Sequence, residues 1–379
     1  MADLAFAATN PCHLYPLAQA TSSLSRDVTF YSGYPKWRLG RPLPTHLHTH
    51  SGRVLVTYGL LRLPERFRPR SRTLFLWQDR EFDRWVGDKL SKHDFVHAMP
   101  GQALETFRRA KALGVRAVLN HATGPSRNWV EIMRGEYERV GLTIDKATVY
   151  DESFLEREAK EYDLADLHCV ASTVVKQQLT LSGVLPERVW IVPYGADPEV
   201  FYPRVDGSPR EFRILFAGYV SLRKGMITLL TALEKLRKKD WRVDFYGGVA
   251  QEARPDIDSY SGETPLFFHA PVTQNDLAEK MREASVLVLP SLEEGFGLVV
   301  PQALSCGTPS IVSEAVGAKD LIKNRENGSV FPVKDSEALC EELVYWASHP
   351  KRVTGDFSWN QPARTLVKLS EAVLENRNG

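Results

Sequence analysis

Cysteine is scarce in this chain. The 379 residues hold four, Cys12, Cys169, Cys306 and Cys340, and no two lie close together. That spacing excludes the paired C-x-x-C of zinc knuckles and thioredoxin-like centres, and scattered thiols fit a reducing compartment. Long apolar runs are missing too. No stretch approaches the ~20 residues of a membrane-spanning helix. The first residues, M-A-D-L-A-F-A-A, lack the basic segment of an export signal and read as a first strand. A cytoplasmic protein is therefore expected. Net charge is nearly absent, with 48 Lys and Arg against 47 Asp and Glu, so no global field selects nucleic acid as a partner. Neither an internal repeat nor a low-complexity tract is visible.

What is present is alternation. At this length two domains are the default. In the first half, short apolar runs at 4–8, 28–31, 54–57, 73–77, 95–98, 117–120, 168–171 and 189–192 read as strands, with helical periodicity at 104–113 and 174–181. In the second half, strands at 214–217, 242–246, 266–269, 286–289 and 310–312 alternate with helices near 226–239, 274–284, 297–306, 317–323 and 336–348. Such alternation predicts an α/β protein with parallel sheets covered on both faces, and ligands at the carboxyl ends of the strands. The Pro- and Gly-rich run V-P-Y-G-A-D-P-E-V-F-Y-P separates the two series. The expected organisation is a first domain over 1–195, a second over 196–360, and a helix over 361–379 that crosses back to the first.

Two segments carry chemistry. Ser291–Pro309 follows the apolar run Val286–Leu289, which Pro290 ends. It gives an acidic, glycine-rich turn and then a short amphipathic helix closed by Gly307 and Pro309. A strand, a glycine turn and a helix start present backbone N–H groups to an anion. Glu293 and Glu294 sit awkwardly beside a phosphate unless something polyhydroxylic is attached to it, and a nucleotide-sugar is such a ligand. In Leu215–Gly225 a strand ends at Gly218, and a loop with Arg223 and Lys224 leads to Gly225 and a helix. The pair reads either as cations for a diphosphate or as a surface pair capping a turn.

Taken in order, Y-G-A-D, F-A-G with R-K-G, A-P-V-T-Q-N-D-L-A-E-K-M-R-E-A-S-V-L-V-L-P-S and E-E-G-F-G-L-V-V-P-Q-A-L-S-C-G-T-P-S-I-V resemble the retaining glycosyltransferases of the GT-B fold, family 4 (glycosyl transferases group 1). The resemblance is strong over 192–333 and diffuse over 1–110. It implies two doubly wound Rossmann-like domains facing across a cleft, the first for the acceptor and the second for the donor. Glu294 matches the first of the family's two glutamates, which contacts hydroxyls of the transferred sugar. The second, which usually bonds the ribose, falls on Gln302; a glutamine still accepts from a hydroxyl but lacks the charge that strengthens the bond. The backbone of Gly295, Phe296 and Gly297 would face the sugar, and Leu298 and Val299 the phosphates. Lys224 matches the phosphate-binding lysine. The arginine expected just after Gly218 is Tyr219, with Arg223 as the substitute cation. Val272 falls where a loop meets the base. His121, in V-L-N-H-A-T-G-P-S, resembles the histidine that faces the donor sugar; from the residues alone it also reads as a strand-end histidine satisfied by backbone. On the acceptor side Asn10 and His13 stand where the family often has a glycine-rich loop, and Arg127 and Glu131 lie near His121 in sequence.

The reaction so implied is retaining transfer of a hexosyl group from a UDP- or GDP-sugar to a hydroxyl of a glycan, a lipid-linked saccharide or a small molecule. Neither metal nor other cofactor is implied. Other readings are a catalytically weak sugar-nucleotide-binding protein, and a retaining phosphorylase, which would need a pyridoxal-phosphate lysine. His46, His48 and His50 alternate in H-L-H-T-H and would share one face of a strand, as in a zinc metallohydrolase, but the preceding R-P-L-P-T reads as loop. Asp256 and Asp258 have the spacing of a metal-dependent transferase of another fold, yet lie in a polar loop. Charge is uneven: residues 1–150 hold 22 Lys and Arg against 13 Asp and Glu. Five of those arginines lie in Arg62–Arg72, read as a solvated loop or as contact with an anionic membrane surface or acceptor.

Overall fold

Two all-parallel sheets frame the protein, and the computed structural model describes residues 2–24, 27–67, 69, 71–144, 150–204 and 211–375. The first sheet comprises β1 (Leu4–Ala8), β2 (Val28–Ser32), β3 (His46–Thr49), β4 (Phe95–Ala98), β5 (Arg116–His121), β6 (Leu167–Val170) and β7 (Val189–Ile191), in the order β3-β2-β1-β4-β5-β6-β7. The second comprises β8 (Phe212–Ala217), β9 (Trp241–Tyr246), β10 (Leu266–His269), β11 (Val286–Leu289), β12 (Ser310–Ser313) and β13 (Gly328–Phe331), in the order β10-β9-β8-β11-β12-β13. The first sheet is flanked by α1 (Leu14–Ser23), α2 (Gly52–Leu60), α3 (Ser71–Lys89), α4 (Leu104–Leu113), α5 (Ser126–Arg139), α6 (Glu152–Leu164) and α7 (Thr173–Leu181). With the second go α8 (Met226–Leu236), α9 (Arg254–Asp258), α10 (Gln274–Glu283), α11 (Val299–Ser305) and α12 (Ser336–Ser348). The terminal helix α13 (Asn360–Glu375) returns to pack on α1.

Strand periodicity explains the layers. In β1, Leu4, Phe6 and Ala8 enter one core and Ala5 and Ala7 another. In β8, Leu215 and Ala217 share the first of these cores, while Ile214 and Phe216 enter a third. Strands buried on both faces must be apolar throughout, which is why these runs are legible in the sequence. One core is common to both domains, running from Phe6 through Tyr194 and Phe296 to Leu289. Strand order reverses between β1 and β4 and between β8 and β11, so the loops after these strands gather at a crevice.

Several expectations are corrected. Residues 54–57 and 73–77 are not strands but parts of α2 and α3. In α2 only Val54 and Thr57 are buried, an i, i+3 pair of helical period that a four-residue window cannot separate from a strand. Conversely 46–49, expected as loop, forms the edge strand β3, paired in register with β2. The helix expected at 297–306 is the seven-residue α11, and 317–323 is a 3-10 turn at Gly317–Leu321. Among the described residues no helix is long and apolar enough to cross a membrane.

Candidate active site

The donor-side residues meet because two loops are joined at glycine. The chain leaves β8 at Gly218, whose φ is 132°. A Cβ on Gly225 would lie 1.7 Å from the Pro290 carbonyl oxygen, and the Leu292 amide donates to the Arg223 carbonyl at 2.8 Å. Arg223 and Lys224 are thereby set against the acidic turn after β11. Arg223 Nη1 donates to the Glu293 carbonyl at 2.8 Å and lies 3.3 Å from both Glu293 Oε2 and Glu294 Oε2. Lys224 Nζ donates to Glu294 Oε2. The Glu293 side chain is 3% exposed and that of Glu294 15%. Burial pushes the Glu293 carboxyl above its usual range, opposed by Arg223. Such a cluster can exchange its internal pairs for a ligand, with hydroxyls going to the carboxylates and phosphate oxygens to the cations.

The neighbouring backbone is clasped from β12's loop. The Gly317 amide donates to the Glu294 carbonyl at 2.9 Å and the Ala318 amide to the Phe296 carbonyl at 2.7 Å. Leu298 immediately precedes α11 and is exposed, and Val299, the first residue of the helix, is half-buried. Gln302, one turn on, lines a cavity of about 350 Å³ with Cys12, His13, Gln274 and Trp359. Tyr219 is exposed and packs over Gly248. Val272 is exposed in the loop after β10.

The two domains meet at Gly295. A Cβ there would lie 2.2 Å from the Ala122 carbonyl oxygen and 2.7 Å from Thr123 Cα, so only hydrogen fits. Ser172 Oγ donates to the Gly295 carbonyl at 2.8 Å, and Thr173 donates to Asp320 through both amide and hydroxyl. Lys334 Nζ pairs with Glu136 at 2.5 Å. His121 ends β5 directly before this contact and is only 1% exposed. Its Nε2 lies 3.0 Å from His168 Nδ1, and Tyr194 donates to its carbonyl at 3.2 Å. Burial first, then His168 and His13, hold its pKa far below the usual value. A neutral imidazole thus precedes the Ala122–Thr123 turn, paired through Nε2 with a second histidine.

On the first domain's side, His13 is buried and stacked 4.3 Å from Tyr194, and burial pushes its pKa down to about 3. Asn10 Oδ1 is buried without a hydrogen-bond partner among the described residues. Arg127 and Glu131 are exposed on α5, and Arg127 is bonded to Glu152. Tyr150, which carries no sequence signal, and Arg72, from the basic run, come into the crevice instead. Tyr150 lies within electrostatic reach of Glu293 and Arg223, and Arg72 stacks on its ring. Arg72 therefore leaves the basic run to which the sequence assigns it. Arg62 and Arg66 are exposed, and Arg68 and Arg70 lie outside the described residues.

The three alternating histidines have separate partners. His46 lies 3.1 Å from Asp27, His48 stacks on Tyr31, and His50 stacks on Trp85. Among the described residues no three His, Cys, Asp or Glu gather as a metal site. Asp256 and Asp258 belong to the short helix α9 and follow no strand end.

Residues 211–349 match the family described as glycosyl transferases group 1. D-inositol 3-phosphate glycosyltransferase 1 of Catenulispora acidiphila is 28% identical over 236 residues, covering 54% of this chain and 56% of that relative. The chain thus spans about half the length of the relatives it matches. Sucrose-phosphate synthase from Thermosynechococcus elongatus superposes with a TM-score of 0.70 at 18% identity, covering 99% of this chain and all of that one. Anabaena HepE in complex with UDP-glucose superposes with a TM-score of 0.63 at 13% identity over the full length of both. With two parallel-sheet domains closing on one crevice, the chain has the GT-B fold, and residues 211–349 of its second domain resemble the glycosyl transferases group 1 family.

Proposed function

We propose that this protein is a retaining glycosyltransferase that moves a hexosyl group from a UDP- or GDP-sugar to an acceptor hydroxyl without a metal ion. The observation that carries this reading is the Arg223–Lys224 and Glu293–Glu294 cluster at the β8/β11 switch point, facing the first domain. Glu294 holds hydroxyls of the transferred sugar, and the Gly295–Gly297 backbone lies along it. Lys224 and Arg223 take the diphosphate, Gln302 the ribose, and Val272 the base. The bond from the sugar's anomeric carbon to the β-phosphate oxygen breaks. The acceptor oxygen bonds that carbon on the same face, and its proton passes to the departing phosphate. The two cations meet the charge that develops on the leaving group, where preorganised charge is most effective. His121 serves as a positioning residue, anchoring the turn on which Gly295 rests.

A thermal-shift panel of uridine, guanosine and adenosine diphosphate sugars tests the donor. A ligand at 100 times its dissociation constant adds ~2.7 kcal/mol. Product stereochemistry tests retention, and activity in excess chelator tests metal independence; complete loss there would count against the metal-free course. A donor that binds but is neither hydrolysed nor transferred would point to a sugar-nucleotide-binding protein.

We also propose peripheral contact with an anionic membrane surface. Leu55 is 54% exposed on α2, with Trp37 at 72% and Phe67 at 62% nearby in sequence. Between Asp27 and Asp79 the sequence carries nine Lys and Arg and the single acid Glu65. Exposed apolar side chains among cations suit anionic lipid. Phosphatidylglycerol vesicles should sediment the protein and phosphatidylcholine vesicles should not, and Phe67→Ala with Arg66→Glu should abolish the difference. Equal partition to both vesicles would sink this reading.

A further inference from the structure

Arg72 lies in the first turn of α3 with its guanidinium 4.7 Å from the centroid of the Tyr150 ring. Its Nε is buried without a hydrogen-bond partner among the described residues. Asp151 lies within electrostatic reach of Arg72, and the carboxylates about Tyr150 have further partners of their own. Asp151 caps α6, accepting from Ser153 Oγ at 2.7 Å and the Phe154 amide at 2.9 Å. Glu152 takes Arg127, and Glu158 takes the hydroxyl and amide of Ser126. Glu293 and Glu294 take Arg223 and Lys224. Tyr150 itself stacks on Phe154 at 4.7 Å and meets Trp129 edge-on at 5.6 Å. Arg72 from the first domain and Arg223 from the second both act on Tyr150, which marks this aromatic shelf as the place where acceptor and donor sides adjoin.

A guanidinium held flat on an aromatic face keeps its donor edge free for a bidentate oxyanion, and aromatic rings suit the C–H faces of sugars and polyols. We propose that Arg72 and Tyr150 form the anion subsite of the acceptor, which is a sugar or polyol bearing a phosphate group. The phosphate oxygens take the Arg72 guanidinium, which Tyr150 holds in place, and the acceptor ring lies beside Trp129. The inference rests on the glycosyltransferase reading above. A free phosphate ester and a lipid headgroup phosphate share the chemistry.

The test compares wild type with Arg72→Ala and Arg72→Lys. Nucleoside diphosphate release is measured with D-inositol 3-phosphate, with inositol, and with phosphatidylinositol in neutral vesicles. Wild type should favour the phosphorylated probes about tenfold or more in kcat/KM, since a site built to bond a charged group discriminates against its absence. Arg72→Ala should remove that preference chiefly through KM, and Arg72→Lys should restore part of it. Preference for the soluble ester assigns a free phosphate, and preference for vesicles assigns a headgroup. Equal losses on phosphorylated and unphosphorylated probes, or preference for the unphosphorylated one, would overturn the subsite. Should none of the probes be glycosylated, titration with inorganic phosphate decides: Trp129-sensitive fluorescence should respond in wild type and not in Arg72→Ala, and identical responses overturn the proposal. The donor-induced thermal shift is recorded for each variant. Its loss in wild type would strike the glycosyltransferase reading, not Arg72.

Discussion

The Lys224 ammonium donates to the Glu294 carboxylate across 70 residues of sequence. The pair ties the end of β8 to the turn after β11 at the second domain's switch point. On the proposed function it also ties together the two demands a nucleotide-sugar would make, a cation for its phosphates and an acceptor for its hydroxyls. A diphosphate bound here competes with Glu294 for Lys224 and leaves the carboxylate to the sugar.

Lys224→Ala should therefore cut turnover on the order of a hundredfold or more, since removing one donor to developing charge typically costs ~3 kcal/mol. Steady-state kinetics check it. Turnover within about threefold of wild type would remove Lys224 from the reaction.

Gln302→Glu should tighten donor binding by about fivefold. Hydrogen bonds to a charged group exceed neutral ones by roughly 1 kcal/mol, and Gln302 is half-buried at the cavity wall. Calorimetric titration with the donor measures this. Weaker binding in the variant would place the ribose elsewhere.

Gly295→Ala should lower activity by at least about tenfold while leaving the fold intact. Its Cβ would meet the Ala122 carbonyl at 2.2 Å, well inside contact distance, so the domains must part at this point. Activity and thermal unfolding measured together test the idea. Full activity in the variant would show that the contact is not needed for turnover.

His97 should make the protein acid-sensitive. It stacks on Phe6 at 4.8 Å and pairs with Asn120 at 3.0 Å, and burial pushes its pKa down to about 3 from 6.5. The unfolded chain therefore binds a proton that the folded one refuses. The stability is complete above pH 6.5 and is lost as pH falls toward 3. At pH 5 the loss is about 2 kcal/mol for this one group. Urea unfolding at pH 7 and pH 5 should show a difference smaller by that amount in His97→Gln. An unchanged difference would mean that His97 titrates normally.

The meeting of the two loops was legible because its signals are local in sequence. Gly225, Gly295, Glu293, Glu294, Arg223 and Lys224 stand in two short motifs whose glycines mark close approaches that a Cβ would block. The fully buried strands β1, β4 and β11 were legible for a related reason, since both of their faces must be apolar. Where burial is one-sided the signal fails. The short runs 54–57 and 73–77 fit either period, and the exposed edge strand β3 carries too little apolar content to declare itself.

Sequence by itself thus determined the α/β plan with two parallel sheets and the close approach of the two glycine-bearing loops, because backbone geometry and strand burial are written residue by residue. Tertiary structure alone decided that His121 is buried against His168 and that the turn after it meets Gly295 of the other domain. It alone decided that Arg72 leaves the basic run for Tyr150. Burial and pairing between residues so far apart arise only when the sheets close on each other, and no local pattern encodes them.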